Sequence, residues 1–139
     1  MRLKPSPMTE ASVIFSISWA LTFLVFSMLS MDVNQGLRAS SISIFFLIIS
    51  YILWFAAGWF VRTKNSQLRF FTNVTVNLLV SVGALLLIDQ AEKTSTVEAG
   101  IRIAASGYLI GVTIAYFVTA TVASALTQFL IVKPKKAKI

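Results

Sequence analysis

The chain has 139 residues, of which 57% are hydrophobic and only 12% are charged, and its formal net charge is +7. Soluble domains have roughly a quarter of their residues charged, so this composition excludes an ordinary soluble domain. The absence of cysteine and histidine also excludes disulfides, thiolate nucleophiles, imidazole bases and Cys/His metal sites. We therefore expect a non-enzymatic protein with no cofactor and no metal site.

Uncharged runs of 19 to 30 residues follow one another along the chain. A helix of about 20 such residues crosses a bilayer. The runs predict an all-α integral membrane protein, a compact bundle of four transmembrane helices at about 11–31, 41–61, 69–88 and 103–132. These helices take up most of the chain, so we expect a single membrane domain over residues 1–139.

The first two predicted helices carry few distinctive residues. Glu10 precedes the first uncharged run, where a carboxylate interacts favourably with a helix N-terminus, and proton sensing is the alternative. Between the helices, the segment DVNQGLRAS predicts a turn in which Gly36 supplies backbone freedom. Trp54 is deep in the second helix, so we expect it to fill the bundle and to need a partner for its indole N–H, such as a serine hydroxyl.

The third predicted helix has a polar stripe, because Asn73, Asn77 and Ser81 are spaced by four residues and share one helix face. An unpaired amide is costly in hydrocarbon, so this stripe must face protein or trapped water. The first interpretation is helix packing through interhelical hydrogen bonds. The second is the lining of a pore.

The fourth predicted helix has a ridge of small residues, one in every four, which consists of Gly107, Gly111, Ala115, Thr119, Ala123 and Thr127. Such small-xxx-small series allow two helix backbones to approach closely, and this one predicts a helix-packing interface. The partner is either a helix of the same chain or a neighbouring protein. Ser95 and Glu98 match a capping box, so the helix is expected to start near residue 96.

Charge predicts the orientation, because nine basic residues and one acidic residue fall on one side of a four-helix topology. The other side has three basic and four acidic residues. The positive-inside rule then places both termini in the cytoplasm. The basic tail 133–139 contributes Lys133, Lys135, Lys136 and Lys138, which predict contact with lipid headgroups or, alternatively, a stop-transfer anchor. Topology explains the basic residues, and we expect no nucleic-acid partner.

No residue motif of a known family is evident. Phage holins resemble the chain in small size and basic C-terminal tail, and tetraspan subunits of bacterial anti-phage systems resemble it in the number of spans. The first functional hypothesis is a membrane subunit of the bacterial inner membrane that forms homo-oligomers or binds another protein subunit, as an anchor or sensor of a larger assembly. A channel or holin-like pore is the alternative, and a small-solute transporter is the third.

Overall fold

The computed structural model describes residues 7–61, 66–94 and 99–131. These residues form four α-helices and a closing π-helix, namely α1 (Pro7–Ser30), α2 (Val33–Val61), α3 (Ser66–Thr94), α4 (Ala99–Leu126) and the π-helix Thr127–Ile131. All four α-helices are long and apolar enough to cross a membrane, so the predicted all-α architecture with four such helices is confirmed. The predicted start near residue 96, the capping residues Ser95 and Glu98 and the lysine tail lie outside the described residues.

The helices form a ring in chain order. Helix α1 packs most extensively on α2, α3 packs on α4, and α1 closes the ring against α4. Across the ring, α2 touches α4, whereas no described Cα atom of α1 lies within 8 Å of one of α3. The cross-section is therefore a rhombus whose long diagonal joins α1 and α3.

The α1–α2 connection is a tight turn at Met31 and Asp32. Met31 has a left-handed backbone with φ of 52°, and the Asp32 amide donates to the Ser27 carbonyl over 3.1 Å. The Asp32 carboxylate then accepts the Asn34 amide at 3.0 Å, which caps the first turn of α2.

The interpretation of Gly36 as a turn residue is wrong, because α2 already begins at Val33. Gly36 is buried instead where α1 and α2 approach each other closely. A Cβ atom at this position would overlap the Ser27 side chain and lie 2.7 Å from the Phe23 carbonyl oxygen. Glycine is needed at residue 36 for space, not for backbone freedom.

The bundle is polar inside and apolar outside. Large apolar side chains such as Leu29, Phe45 and Phe60 are mostly exposed. The interior combines an apolar cluster around Ile14 and Leu47 with many buried hydroxyl and amide side chains, which include Ser18, Thr22, Ser43, Ser50, Asn77, Thr113, Thr119, Ser124 and Thr127. This distribution is the reverse of a soluble protein and suits a chain surrounded by hydrocarbon.

Candidate functional site: the polar interior

Asn77 of α3 is the centre of a hydrogen-bond network that joins three helices. Its side-chain oxygen accepts the indole N–H of Trp54 in α2 at 2.9 Å and the hydroxyl of Tyr116 in α4 at 3.4 Å. Ser50 of α2 hydrogen-bonds to the same tyrosine hydroxyl. Because the Tyr116 proton is directed at Asn77, Ser50 donates to the Tyr116 oxygen.

The two donors fix the orientation of the Asn77 amide. Since the indole N–H can only donate, the Asn77 oxygen must face Trp54 and the Asn77 nitrogen must face away. That nitrogen is buried and has no acceptor among the described residues, and the Ser81 hydroxyl, one turn further along α3, is also buried without a partner there. The stripe therefore has two buried polar groups, the Asn77 amide nitrogen and the Ser81 hydroxyl, that form no hydrogen bond with a described residue.

A second polar layer joins α1 to α4. The Thr119 hydroxyl lies 3.0 Å from the Ser18 hydroxyl and 3.2 Å from the Thr22 hydroxyl, and all three residues are buried. Thr22 also donates to the Ser18 carbonyl at 2.9 Å, so its own proton is engaged within α1. These side chains fix the register of α1 on α4 without any charged group.

A buried ion pair lies at the end of the bundle where α1 and α3 begin. Arg69 of α3 pairs with Glu10 of α1, and the two residues are only 3% and 4% exposed. The pair spans the long diagonal of the ring, where the backbones of α1 and α3 do not meet. Two long side chains thus cross the interior and close it at this end.

The π-helix brings further polar groups to the same end. Thr127 and Gln128 are both buried there, and the adjacent Phe129 ring packs 5.5 Å from the Phe70 ring of α3. The Gln128 side-chain oxygen has no hydrogen-bond donor among the residues that the structure describes. A π-helix widens the final turns of a helix and is frequent at functional sites.

The predicted polar stripe lies entirely in the interior. Asn73, Asn77 and Ser81 are 5%, 0% and 7% exposed, so all three face protein. Asn77 contacts side chains of two other helices, which is what packing requires. The free amide nitrogen and the free Ser81 hydroxyl are what a pore or solute path requires, so both interpretations of the stripe stay open.

The predicted ridge on α4 is partly buried in the bundle and partly exposed. Thr119, Ala123 and Thr127 are buried, Ala115 is half-buried, and Gly107 and Gly111 are exposed. A Cβ atom added at either glycine would meet no atom within 4 Å. The ridge winds around the helix, so that one half packs inside this chain and the glycine half faces outward.

Sequence reasoning missed the ion pair and the acceptor of Trp54. It counted Arg69 only among the nine basic residues that predict the orientation, took Glu10 as a residue at a helix N-terminus, and expected a partner such as a serine hydroxyl for Trp54. One signal was present: Arg69 is four residues before Asn73, so it continues the polar stripe on the same face of α3. A charged residue that extends a buried face needs a charged partner.

Within residues 7–61, 66–94 and 99–131, no three acidic, histidine or cysteine side chains come together as a metal site would require. Comparison with known protein families, curated proteins and solved structures finds no match to this chain. Its function is therefore inferred from its own geometry.

Proposed function

We propose that this chain is a non-enzymatic subunit of the bacterial inner membrane, with both termini in the cytoplasm, which assembles through α4 with a second copy or with another membrane protein. The observation that carries this proposal is the outward face of α4 at Gly107 and Gly111. Both glycines are exposed, and the space beside them is open.

Exposed glycines on an apolar helix favour association with another helix. Lipid tails are as apolar as a leucine side chain, so membrane helices associate through close backbone packing and not through hydrophobic burial. Glycine weakens a helix by about 1 kcal/mol relative to alanine, and neither Gly107 nor Gly111 is needed for packing within the chain. A neighbouring helix at this face would account for both glycines.

The buried half of the same ridge supports this proposal. Ala123 and Thr127 are fully buried, so small residues at this spacing already serve close packing at the other end of α4. The ridge continues without interruption through Ala115 to the exposed glycines. A second helix would extend the same mode of packing beyond the chain.

Single-cysteine crosslinking in membranes tests the proposal, because the chain has no cysteine of its own. Ile114 is 57% exposed and lies about one turn after Gly111 on α4, while Ile52 is 63% exposed on α2. We expect Ile114→Cys to form a disulfide-linked product on mild oxidation, and Ile52→Cys, the matched control, to remain uncrosslinked.

The product should disappear when Gly111→Ile is added to Ile114→Cys, because a branched side chain keeps the partner helix away. Its mass distinguishes a second copy from another protein. Equal crosslinking at the two positions, or crosslinking that Gly111→Ile does not change, would contradict assembly through this face.

A small channel or holin-like pore is the second candidate, and the unused hydrogen-bonding groups of Asn77 and Ser81 favour it. Replacing both Asn73 and Asn77 by leucine separates the two functions. If the chain forms a pore, the double variant should lose conductance in a planar bilayer while its assembly survives. If the stripe serves packing, the double variant should form a less stable bundle, and neither the wild type nor the variant should conduct.

A further inference from the structure

An apolar groove of about 540 Å³ lies between α2 and α3. All of its lining residues are apolar, among them Ile42, Phe45 and Leu53 of α2, Gly83 and Leu87 of α3, and Leu109 of α4. The groove exists because α2 and α3 pack on each other much less extensively than α1 and α2 do. It opens on the side of the bundle that hydrocarbon would surround.

The length of the groove matches one leaflet. On α2 it runs from Ile42 to Leu53, which at 1.5 Å per residue is about 17 Å. Half of the hydrocarbon core of a bilayer is about 15 Å. The groove thus has about the length of a lipid acyl chain. With α2 centred in the membrane, it begins about 8 Å before the bilayer midplane and ends about 9 Å beyond it.

The position of Arg38 matches the headgroup level of that leaflet. Helix α2 has 29 residues and is about 44 Å long, so about five residues extend past the 30 Å hydrocarbon core at each end if the helix is centred. Arg38 is therefore at the boundary. It precedes Ile42 by one turn and lies on the same face of α2 as the groove.

A carboxylate lies one turn beyond the groove on the opposite helix, α3. Glu92 follows the groove residue Ile88 by one turn of α3. The neighbouring Asp89 and Lys93 pair with each other at 3.1 Å, whereas Arg38 and Glu92 form no ion pair among the described residues. Within that part of the chain, a cation and a carboxylate without an ion pair therefore each lie one turn beyond a lining residue of the apolar groove.

We propose that the groove holds the acyl chain of a zwitterionic glycerophospholipid with a primary amine, whose phosphate binds Arg38 and whose headgroup ammonium donates hydrogen bonds to Glu92, which a choline headgroup cannot do. Arginine is well suited to bind phosphate oxygens. The amine of phosphatidylethanolamine complements Glu92, whereas an anionic headgroup without an amine would be repelled by it. This inference rests on the proposed membrane location but not on assembly through α4.

The test uses phosphatidylethanolamine with a photoreactive diazirine in its acyl chain, as a trace in phosphatidylcholine vesicles that contain the full chain. After illumination, mass spectrometry compares adducts on residues 42–53 and 79–88 with adducts around Leu24 and Leu29, which are 50% and 80% exposed on α1. We expect the groove segments to be labelled several-fold more than α1, and unlabelled phosphatidylethanolamine to compete better than phosphatidylglycerol.

Gly83→Leu should reduce groove labelling to the level of α1. A Cβ atom at Gly83 meets nothing within 4 Å, and Gly83 lines the groove, so a leucine at this position extends into the space that the acyl chain would occupy. A Cβ atom at Gly100 also meets nothing within 4 Å, but Gly100 does not line the groove. The matched control Gly100→Leu should therefore leave groove labelling unchanged. Arg38→Gln should lower groove labelling, and Glu92→Gln should remove the preference for phosphatidylethanolamine.

Equal labelling of the groove and α1, unaffected by Gly83→Leu, would show membrane insertion and overturn the lipid site. Absence of lipid labelling in the groove, together with crosslinks between two copies of the chain, would also overturn the lipid site, because a second chain would then cover the groove. Absence of labelling on every helix, α1 included, would overturn the membrane location itself.

Discussion

Arg69 reaches Glu10 across the interior of the bundle, although the backbones of the two helices that carry them do not meet. Both side chains are at least 95% buried. The pair connects the two helices on the long diagonal of the ring, which no backbone contact between described residues holds together. It therefore links the α1–α2 side of the bundle to the α3–α4 side at one end.

Breaking this pair should destabilise the protein strongly. Arg69→Met removes the buried guanidinium that pairs with the Glu10 carboxylate, and we expect a loss of about 3–5 kcal/mol in the free energy of unfolding. Glu10→Gln should cost a similar amount, and the double variant should cost less than either single one. Unfolding in mixed micelles of mild detergent and dodecyl sulfate measures all three.

The exposed pair of Asp89 and Lys93 provides the control for this comparison. Its side chains are 60% and 70% exposed, so Lys93→Met should cost no more than about 0.5 kcal/mol. If Arg69→Met were as mild as Lys93→Met, the diagonal ion pair would not hold the bundle together.

The hydrogen bonds of the Asn77 amide should contribute more to stability than the volume of the side chain does. Asn77→Leu leaves the Trp54 indole N–H and the Tyr116 hydroxyl without their acceptor, and we expect a loss of about 1–3 kcal/mol in the same unfolding assay. Thr75→Leu on the exposed face of α3 is the matched control, since the Thr75 hydroxyl donates to the Phe71 carbonyl of its own helix. Similar stability for the two variants would contradict the network.

Two helical glycines should respond to alanine in opposite directions. Gly36→Ala places a Cβ atom against the Phe23 carbonyl and Ser27, and overpacking of this kind costs about 1–3 kcal/mol. Gly83→Ala meets nothing within 4 Å and should stabilise α3 by about 0.5–1 kcal/mol through helix propensity. Equal effects would show that α1 and α2 do not approach closely at Gly36.

The turn between α1 and α2 offers a stabilising substitution. Met31 adopts φ of 52° and is 93% exposed, so its side chain contributes strain and little packing. Met31→Gly should raise the free energy of unfolding by about 1 kcal/mol, because a left-handed backbone costs a non-glycine residue about that amount. Met31→Ala should give no such gain, and a gain with both would point away from backbone strain.

The number of helices could be predicted from the sequence, because the bilayer demands long uncharged runs and little else produces them. Their ends could not, since α2 begins at Val33, eight residues before its predicted start at residue 41. The inward orientation of Asn73 and Asn77 was also predictable, since an amide cannot face hydrocarbon. Both expectations depend on properties that are local in the chain.

The partners of these residues could not be predicted in the same way. Glu10 and Arg69 are 59 positions apart, and their pairing depends on which helices are opposite in the ring. Gly36 stands in a segment whose composition suits a turn, and only the approach of α1 reveals its role. The exposure of Gly107 and Gly111 depends on which side of α4 faces the bundle interior, and the sequence does not determine that side.

Native mass spectrometry of a tagged copy, purified from its own host in mild detergent, tests the central claim most directly. Assembly through α4 predicts a closed homo-oligomer or a stoichiometric second protein, and Gly111→Ile should reduce either one to the single chain without unfolding it. A wild-type protein that is recovered as a monomer alone would contradict the proposal that this bundle is a subunit.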